Sequence, residues 1–301
     1  MKKIAILGFG TIGSGVAEII STRNDMRLVK VLDLRDLSGT LAEAVATKDI
    51  HDVINSDADI VVETMGGVHP AADFISAALQ SGKSVVTSNK AVIAAVGEKL
   101  QKIADESGTK LLYEASVGGR IPIVRVMQDC LACDEITKIR GILNGTTNYI
   151  LTEMAGGKSY EEALTSAQKL GYAEANPSAD IEGIDTCRKI AILASIMMGK
   201  KINYEDIPCE GIENITKEDI DAAAAKGKKI KLIGYAEKDG DKLIAYVKPV
   251  EIDSSSMLYG IDGVTNGIEL ESKYLGTSLY CGAGAGKLAT ATAVIADIMH
   301  I

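Results

Sequence analysis

The sequence predicts an α/β protein, with a doubly wound parallel sheet of the Rossmann type followed by an α+β domain. Three observations lead to this fold class. An apolar strand at 3–7 runs into a glycine-rich loop and a helix. Strands then alternate with helices of about ten to fifteen residues as far as 113, which is the pattern of βαβ units. Later strands flank a glycine-bearing turn at 238–241, as antiparallel hairpins do.

The expected domain limits follow from this order of elements. Residues 1–127 form the dinucleotide-binding domain, and a C-terminal helix within 282–301 returns to complete it. Residues 128–281 form a second, α+β domain, which we expect to bind the substrate. A glycine run opens the C-terminal helix at 282–286, but no βαβ unit surrounds it, so it does not mark a second nucleotide fold.

Charge and cysteine content restrict the class of protein. The net charge of −9 argues against nucleic acid as a partner. No apolar run reaches the roughly 18–20 residues of a membrane span, so no membrane partner is expected. Five cysteines and a start that is not a signal peptide favour a reduced, cytoplasmic setting. Cys130 and Cys133 form a lone C-x-x-C, and we expect buried helix cysteines there instead of a metal or redox site.

The first strand ends in a G-x-G-x-x-G loop that leads into a helix near 15. The loop residues expected to bind a dinucleotide are Gly8, Gly10, Thr11, Ile12 and Gly13. Glycines permit the tight turn and let backbone N–H groups at the helix N-terminus approach the pyrophosphate. The motif alone is a weak signal, but a strand before it and a helix after it make it a dinucleotide fingerprint. NAD or NADP is therefore the expected cofactor.

The end of the second strand, 27–34, gives conflicting signals about which of the two dinucleotides binds. Asp33 lies about twenty residues after the loop, where an acidic side chain binds the ribose hydroxyls of NAD. Arg35 follows closely and could pair with the 2′-phosphate of NADP. The sequence leaves the choice open.

Further candidates follow the later strands. Strands at 58–63 and 84–87 run into Thr64, Ser88 and Lys90. Ligands of doubly wound sheets bind beyond the carboxyl ends of the strands, so these side chains are expected beside the cofactor. The same position favours a functional role for Lys90 over a solvated charge.

The densest polar chemistry lies in the stretch 171–195, GYAEANPSADIEGIDTCRKIAILAS. The residues at 176–178 favour a turn, and a helix is expected to begin near Asp180. On that helix Asp185 and Lys189 share one face, four residues apart, within a largely apolar stripe. Such charges are almost never buried unless paired. The alternative is a solvated surface pair.

Two more carboxylates, Glu174 and Asp180, precede the Asp185–Lys189 pair. Three carboxylates and one lysine predict a site for a polar, amino-bearing substrate. Upstream, the amides and hydroxyls of 144–149 follow a strand at 138–143, and one interpretation of them is helix capping by Thr146 or Thr147.

The chain resembles homoserine dehydrogenases along essentially its whole length. The motifs that match in order are GFGTIGSGV, VVETMGG, VVTSNKA, EASVGGRIPIV, GILNGTTNYIL, the stretch 171–195 and GAGAGKLATATAV. The resemblance implies reversible reduction of L-aspartate 4-semialdehyde to L-homoserine by NAD(P)H, a step toward threonine and methionine. It also implies a homodimer built through the second domain. The chain ends at Ile301 without the C-terminal regulatory domain of longer members, so feedback by threonine is not expected.

The resemblance also implies roles for single residues. Lys189 is the proton donor and acceptor, and Lys90, beside the nicotinamide, is its rival. Glu174 and Asp185 hold the substrate. Gly171 and Gly286 contact the cofactor. The residues expected to bind a sodium ion through main-chain oxygens are Glu114, Val117, Gly119 and Ile121.

Three positions depart from the family pattern. Arg120 replaces a usual glycine, which affects the geometry of the ion loop. Asn176 replaces a usual aspartate and removes one charge near the substrate, and Leu288 replaces a proline.

Two other functions stay open on the sequence. One is a related dehydrogenase of the same plan acting on another amino acid or oxo acid, which substrate profiling would separate. The other is a non-catalytic NAD(P)-sensing protein. Intact Lys90, Asp185 and Lys189 argue against a sensor, because a sensor needs no buried proton relay.

Overall fold

A parallel sheet of six strands forms the N-terminal part of the fold in the computed structural model, which describes residues 1–301. The strands are β1 (Lys2–Leu7), β2 (Met26–Leu32), β3 (Ala46–Thr47), β4 (Ile60–Glu63), β5 (Ser84–Thr87) and β6 (Leu111–Leu112). Their order is β3-β2-β1-β4-β5-β6, which confirms the doubly wound sheet. All of β4 is buried, as in strands that are covered on both faces.

Helices connect these strands. They are α1 (Thr11–Ser21), α2 (Ile50–Ile54), α3 (Ala71–Gln80) and α4 (Lys90–Glu106). The pairing register places Leu7 beside Leu32 and Glu63, and Glu63 beside Thr87. Because these strands end at the same level, the loops that follow them lie along one edge of the sheet.

An antiparallel sheet of five strands forms the second part of the fold. Its strands are β7 (Ile136–Ile142), β8 (Lys229–Asp239), β9 (Lys242–Ile252), β10 (Thr265–Ser272) and β11 (Gly276–Ala283). Their order is β11-β10-β7-β8-β9. The helices are α5 (Gly145–Ala155), α6 (Tyr160–Lys169), α7 (Ser178–Ile181), α8 (Ile184–Met198) and α9 (Lys217–Ala225). The predicted α+β architecture is therefore present.

Helix α8 packs directly on this antiparallel sheet. A Cβ added to Gly234 of β8 would lie 3.1 Å from Thr186 Cγ2 and 3.3 Å from Ile190 Cβ. Ile190 and Leu193 are fully buried. The packing fixes the rotation of α8 and with it the direction of its polar side chains.

The last helix, α10 (Lys287–His300), belongs with the parallel sheet. Ala291, Val294 and Ile298 of α10 share one apolar core with Val16 of α1 and Ile4 of β1. The first unit therefore comprises residues 1–120 and 285–301, and the second unit comprises 121–284. Residues 121–127 and 282–284 lie in the second unit, whereas the sequence placed them in the first, partly because β11 extends to Ala283. No helix combines the length and hydropathy needed to cross a bilayer.

Two local expectations are wrong. The helix expected from Asp180 starts at Ile184, because Gly183 has a left-handed φ of +84° and separates α7 from α8. Cys130 and Cys133 are exposed, not buried. The segment that carries them is a π-helix, Val126–Cys130, followed by a turn instead of a longer α-helix.

Candidate active site

The glycine loop and Thr64 lie together at the carboxyl ends of β1 and β4, where close packing and a hydrogen bond join them. A Cβ on Gly13 would lie 2.0 Å from the Gly8 carbonyl oxygen and 2.9 Å from Thr64 Oγ1. Thr64 Oγ1 donates to that same Gly8 oxygen at 2.7 Å. Gly10 caps α1, so Thr11, Ile12 and Gly13 present the helix N-terminus. This is the arrangement that receives a pyrophosphate on backbone N–H groups.

Asp33 and Arg35, which gave conflicting signals in the sequence, form one ion pair. Arg35 donates Nε and Nη2 to the Asp33 carboxylate at 2.9 and 2.7 Å. The Phe9 N–H donates to Asp33 Oδ2 at 2.7 Å, so the carboxylate also braces the glycine loop. The Arg35 guanidinium holds the pKa of Asp33 well below its usual range, against the opposing effect of desolvation. The charge that would repel a 2′-phosphate is therefore neutralised by its neighbour.

Ser88 and Lys90 lie at the end of β5, as the sequence placed them. The Ser88 N–H donates to the Glu63 carbonyl at 3.3 Å. Asn89 caps α4, accepting the Val92 N–H on its side chain at 3.2 Å. Lys90 is the first residue of α4, so this cap fixes the backbone position from which its side chain extends.

The second unit holds a buried ion pair on α8. Lys189 Nζ donates to Asp185 Oδ2 at 2.6 Å and to the Leu143 carbonyl at 2.7 Å. Asp185 is 5% exposed and Lys189 is 8% exposed. The alternative of a solvated surface pair is therefore wrong.

Asn144 links two of the predicted carboxylates, which sequence reasoning missed. Its Nδ2 donates to Asp180 Oδ1 at 2.7 Å and to Asp185 Oδ2 at 2.9 Å. Its Oδ1 accepts the Thr147 N–H at 2.9 Å and caps α5, so the cap is Asn144 and not Thr146 or Thr147, to which the sequence gave this role. The run of amides and hydroxyls at 144–149 was the only available signal for the further role.

The loop before α7 is held at one end and exposed at the other. Thr146 Oγ1 donates to the Tyr172 carbonyl at 2.6 Å, next to Gly171, which has a left-handed φ of +74°. Glu174 is exposed, and its carboxylate makes no hydrogen bond within the protein. The structure therefore joins Asp180 and Asp185 but leaves Glu174 outside their network.

The segment expected to bind sodium has an irregular backbone. Glu114 begins a 3₁₀ turn, and its N–H donates to Asp297 Oδ2 at 2.9 Å. Gly118 and Gly119 are both left-handed, with φ of +72° and +56°. Arg120, the departure from the family pattern, is exposed.

Main-chain oxygens are the donors expected to bind a metal in this segment. No group of three or more His, Cys, Asp or Glu side chains could hold a metal ion. Hard oxygen donors suit a cation such as sodium. The carbonyls of Glu114, Val117, Gly119 and Ile121 would hold it, and the ion stays a prediction.

A dinucleotide-binding sheet and a separate unit with a buried lysine–carboxylate pair define an NAD(P)-dependent oxidoreductase. Residues 8–114 match the family model "Homoserine dehydrogenase, NAD binding domain", and residues 122–299 match "Homoserine dehydrogenase". The chain belongs to the homoserine dehydrogenase family, whose members are NAD(P)-dependent and act on a CH–OH group.

Individual relatives agree along the chain. Homoserine dehydrogenase of Bacillus subtilis is 39% identical, over 99% of this chain and 72% of its own length. The crystal structure from Thiobacillus denitrificans matches with a TM-score of 0.93 at 35% identity, over 99% of this chain and 72% of that one. A hyperthermophilic archaeal homoserine dehydrogenase in complex with NADPH matches with a TM-score of 0.84 at 28% identity, over 99% and 97%.

Proposed function

We propose that this chain interconverts L-aspartate 4-semialdehyde and L-homoserine with NAD(P)H or NAD(P)⁺. The observation that carries the proposal is the buried Asp185–Lys189 pair, which lies in the part of the chain that matches the homoserine dehydrogenase model. When bound, the reduced nicotinamide supplies the hydride that reaches the aldehyde carbon. The chain itself must then place the substrate, exclude water and protonate the carbonyl oxygen.

Lys189 is the group we assign to the proton. An ammonium has three N–H donors, and two of them are used by Asp185 and the Leu143 carbonyl. The remaining N–H can point to a substrate oxygen, where negative charge develops as the hydride arrives. A positioned general acid typically contributes about 10²–10⁴-fold to such a step. In the reverse direction the same lysine accepts the proton of homoserine.

The carboxylates are assigned to substrate recognition. Asp180 and Asp185 are fixed by one amide, Asn144, so their negative charge is held in a defined place. This charge favours a substrate that carries an ammonium group. Glu174, on the loop anchored by Thr146, is exposed and available to a substrate.

Except for Gly171, the residues that we assign to coenzyme binding belong to the first unit. Gly8, Gly10 and Gly13 open the loop for the pyrophosphate, and Thr64 braces it. Asp33 and Arg35 face the adenosine ribose. Lys90 is the rival proton donor, since it follows a strand end where ligands of such sheets bind.

A spectrophotometric assay tests the function. L-homoserine with NAD⁺ or NADP⁺ should give reduced coenzyme, and 4-hydroxybutyrate, which lacks the amino group, should react at least about 100-fold more slowly. Equal rates on the two alcohols would support a dehydrogenase with another substrate. Coenzyme binding without turnover of any hydroxy acid would support the sensing alternative.

The remaining proposals concern assembly and location. The family resemblance supports a homodimer built through 128–281. Five cysteines without a disulfide support the reducing cytoplasm. Analytical ultracentrifugation should give twice the monomer mass of 31.7 kDa, and a single species at 31.7 kDa would contradict the dimer.

A further inference from the structure

Glu63 is a fully buried carboxylate to which the reaction gives no role. It is 0% exposed, at the last position of β4. Its Oε1 accepts the Met65 N–H at 2.7 Å and Asn89 Nδ2 at 3.3 Å. Its Oε2 accepts the Thr87 hydroxyl at 2.5 Å. Three uncharged donors therefore surround it, and no lysine or arginine pairs with it.

We propose that Glu63 is a positioning residue for the proposed dehydrogenase reaction. Its carboxylate ties the loop 64–67, after β4, to the start of α4, and so sets the place of Lys90. The inference rests on the proposed function, because Lys90 matters only if that site binds the coenzyme and substrate.

The hydrogen bonds around Glu63 connect successive loops of one sheet edge. Asn89 Nδ2 donates to the Gly67 carbonyl at 2.7 Å as well as to Glu63. The Asn89 N–H donates to Thr87 Oγ1 at 2.9 Å. Asn89 also caps α4, so the groups that bind Glu63 determine where that helix begins.

The connection extends to the glycine loop. Thr64, next to Glu63 in sequence, donates its hydroxyl to the Gly8 carbonyl. A single run of bonds therefore joins the glycine loop, the loop 64–67 and the N-terminus of α4. A shift of Glu63 would therefore displace the loop 64–67 and the N-terminus of α4 together.

A carboxylate is the side chain that this position requires. It accepts on both oxygens and has no donor of its own, which matches three converging donors. A buried charge is costly, and well-packed apolar side chains often give equal or greater stability at such positions. Stability alone therefore does not account for Glu63, whereas fixed loop geometry does.

The same two strands provide a matched control at their other ends. Lys83 immediately precedes β5 and is 8% exposed. Its Nζ donates to the Ser56 and Ala58 carbonyls at 2.9 and 3.0 Å, just before β4. Lys83→Met removes a buried polar link of the same sheet, far along the strands from the glycine loop.

The first experiment compares Glu63→Ala, Glu63→Gln and Lys83→Met. Glu63→Ala should lower kcat by about 10- to 100-fold, because a displacement near 1 Å has effects of this size. Glu63→Gln keeps the shape and one acceptor oxygen but turns an amide NH2 toward one of the donors, so it should recover part of kcat and leave a loss of about 3- to 10-fold. Lys83→Met should lower Tm and leave kcat within about twofold. Wild-type kinetics in Glu63→Ala, or an equal kcat loss in Lys83→Met, would overturn the proposal.

A double-mutant cycle tests the route through Lys90, and it uses Glu63→Ala, which has the larger expected loss, together with Glu63→Gln in case the alanine variant does not fold. In the Lys90→Ala background, neither substitution should cause a further loss of kcat. Independent, multiplicative losses would show that Glu63 does not act through Lys90.

Coenzyme affinity separates the failure of this inference from failure of the proposed function. NADPH fluorescence titration needs no turnover. If homoserine is not a substrate, Glu63→Ala should still weaken NADPH binding more than Lys83→Met does, because loop 64–67 borders the glycine loop. Equal NADPH affinity in both variants would refute the positioning role by itself.

Discussion

At the scale of single residues, two hydrogen bonds fix the orientation of the Lys189 ammonium group. Asp185 and the Leu143 carbonyl each take one N–H, both within 2.7 Å. Burial keeps water from competing for the remaining N–H. A lysine held in this way can donate to one oxygen at a fixed place, which is what a proton donor for a developing alkoxide requires.

Lys189→Ala should lower kcat by about 10²-fold or more and leave NAD(P)H affinity near wild type. The reason is that the substitution removes the proton donor, which belongs to the second unit, whereas the glycine loop belongs to the first. Steady-state kinetics and fluorescence titration measure the two quantities. Lys90→Ala is the rival variant. If it loses kcat while Lys189→Ala retains it, the proton belongs to Lys90.

Arg35→Ala should weaken NADP binding by about 10- to 100-fold and NAD binding much less, since one charge-assisted bond contributes about 1.5–3 kcal/mol. The substitution removes the partner of a 2′-phosphate and leaves Asp33 without its neutralising charge. Arg23→Ala, which breaks a pair with Asp25 in the same unit, is the control. Equal weakening of NAD and NADP by Arg35→Ala would refute this role of Arg35.

Asp33 should also make stability depend on acid pH. Its pKa is depressed by Arg35 in the folded state, so it stabilises the fold above its ordinary pKa of about 4, and this contribution is lost as the pH falls below that value. Urea unfolding should show a larger loss between about pH 6 and pH 3 for wild type than for Asp33→Asn. Parallel losses in the two proteins would contradict the prediction.

Which residues the sequence reveals depends on how far apart the partners lie. Asp185 and Lys189 are one helical turn apart, so local periodicity placed them on one face. Asn144 meets Asp180 and Asp185 across 36 and 41 residues. Glu63 meets Thr87 and Asn89 across 24 and 26 residues. No local pattern predicts contacts of that kind, so both roles appeared only in the structure.

At the scale of elements, α8 begins where it does because tertiary contacts stop the preceding turn. A Cβ on Gly211 would lie 2.0 Å from the Ile181 carbonyl oxygen, and the Ile212 N–H donates to that oxygen at 2.8 Å. The backbone at 211–212 therefore lies where α7 would have to continue into α8. The sequence, which shows only acidic residues and an apolar stripe, could not indicate this contact.

Gly183→Ala should destabilise the protein more than Gly199→Ala. Both glycines are left-handed, at the two ends of α8, and an L-residue there costs about 1–2 kcal/mol. At Gly199 an added Cβ meets nothing within 4 Å, whereas at Gly183 it meets Cys209 Sγ at 3.0 Å and Val247 Cγ1 at 3.2 Å. Overpacking should add at least about 1 kcal/mol. Urea unfolding measures the difference, and equal losses would contradict it.

At the scale of the whole molecule, alternation of strands and helices was enough to predict the doubly wound sheet and the α+β part. It could not predict the order of the strands, because that order depends on the side of β1 on which each later strand is added to the sheet. It also missed β3, whose two residues, Ala46 and Thr47, carry no periodic pattern. The limits of the two units likewise depend on long-range pairing, as between β10 and β11.

Coenzyme binding should stabilise the unit formed by 1–120 and 285–301, because the glycine loop lies there. At 100 times its Kd, NADPH or NADH should raise the free energy of unfolding by about 2.7 kcal/mol. Calorimetry would show the transition of this unit at a higher temperature. Gly13→Ala should abolish the shift, because its Cβ would lie 2.0 Å from the Gly8 oxygen and open the loop. A wild-type transition that neither coenzyme moves would show that the loop at 8–13 binds no dinucleotide.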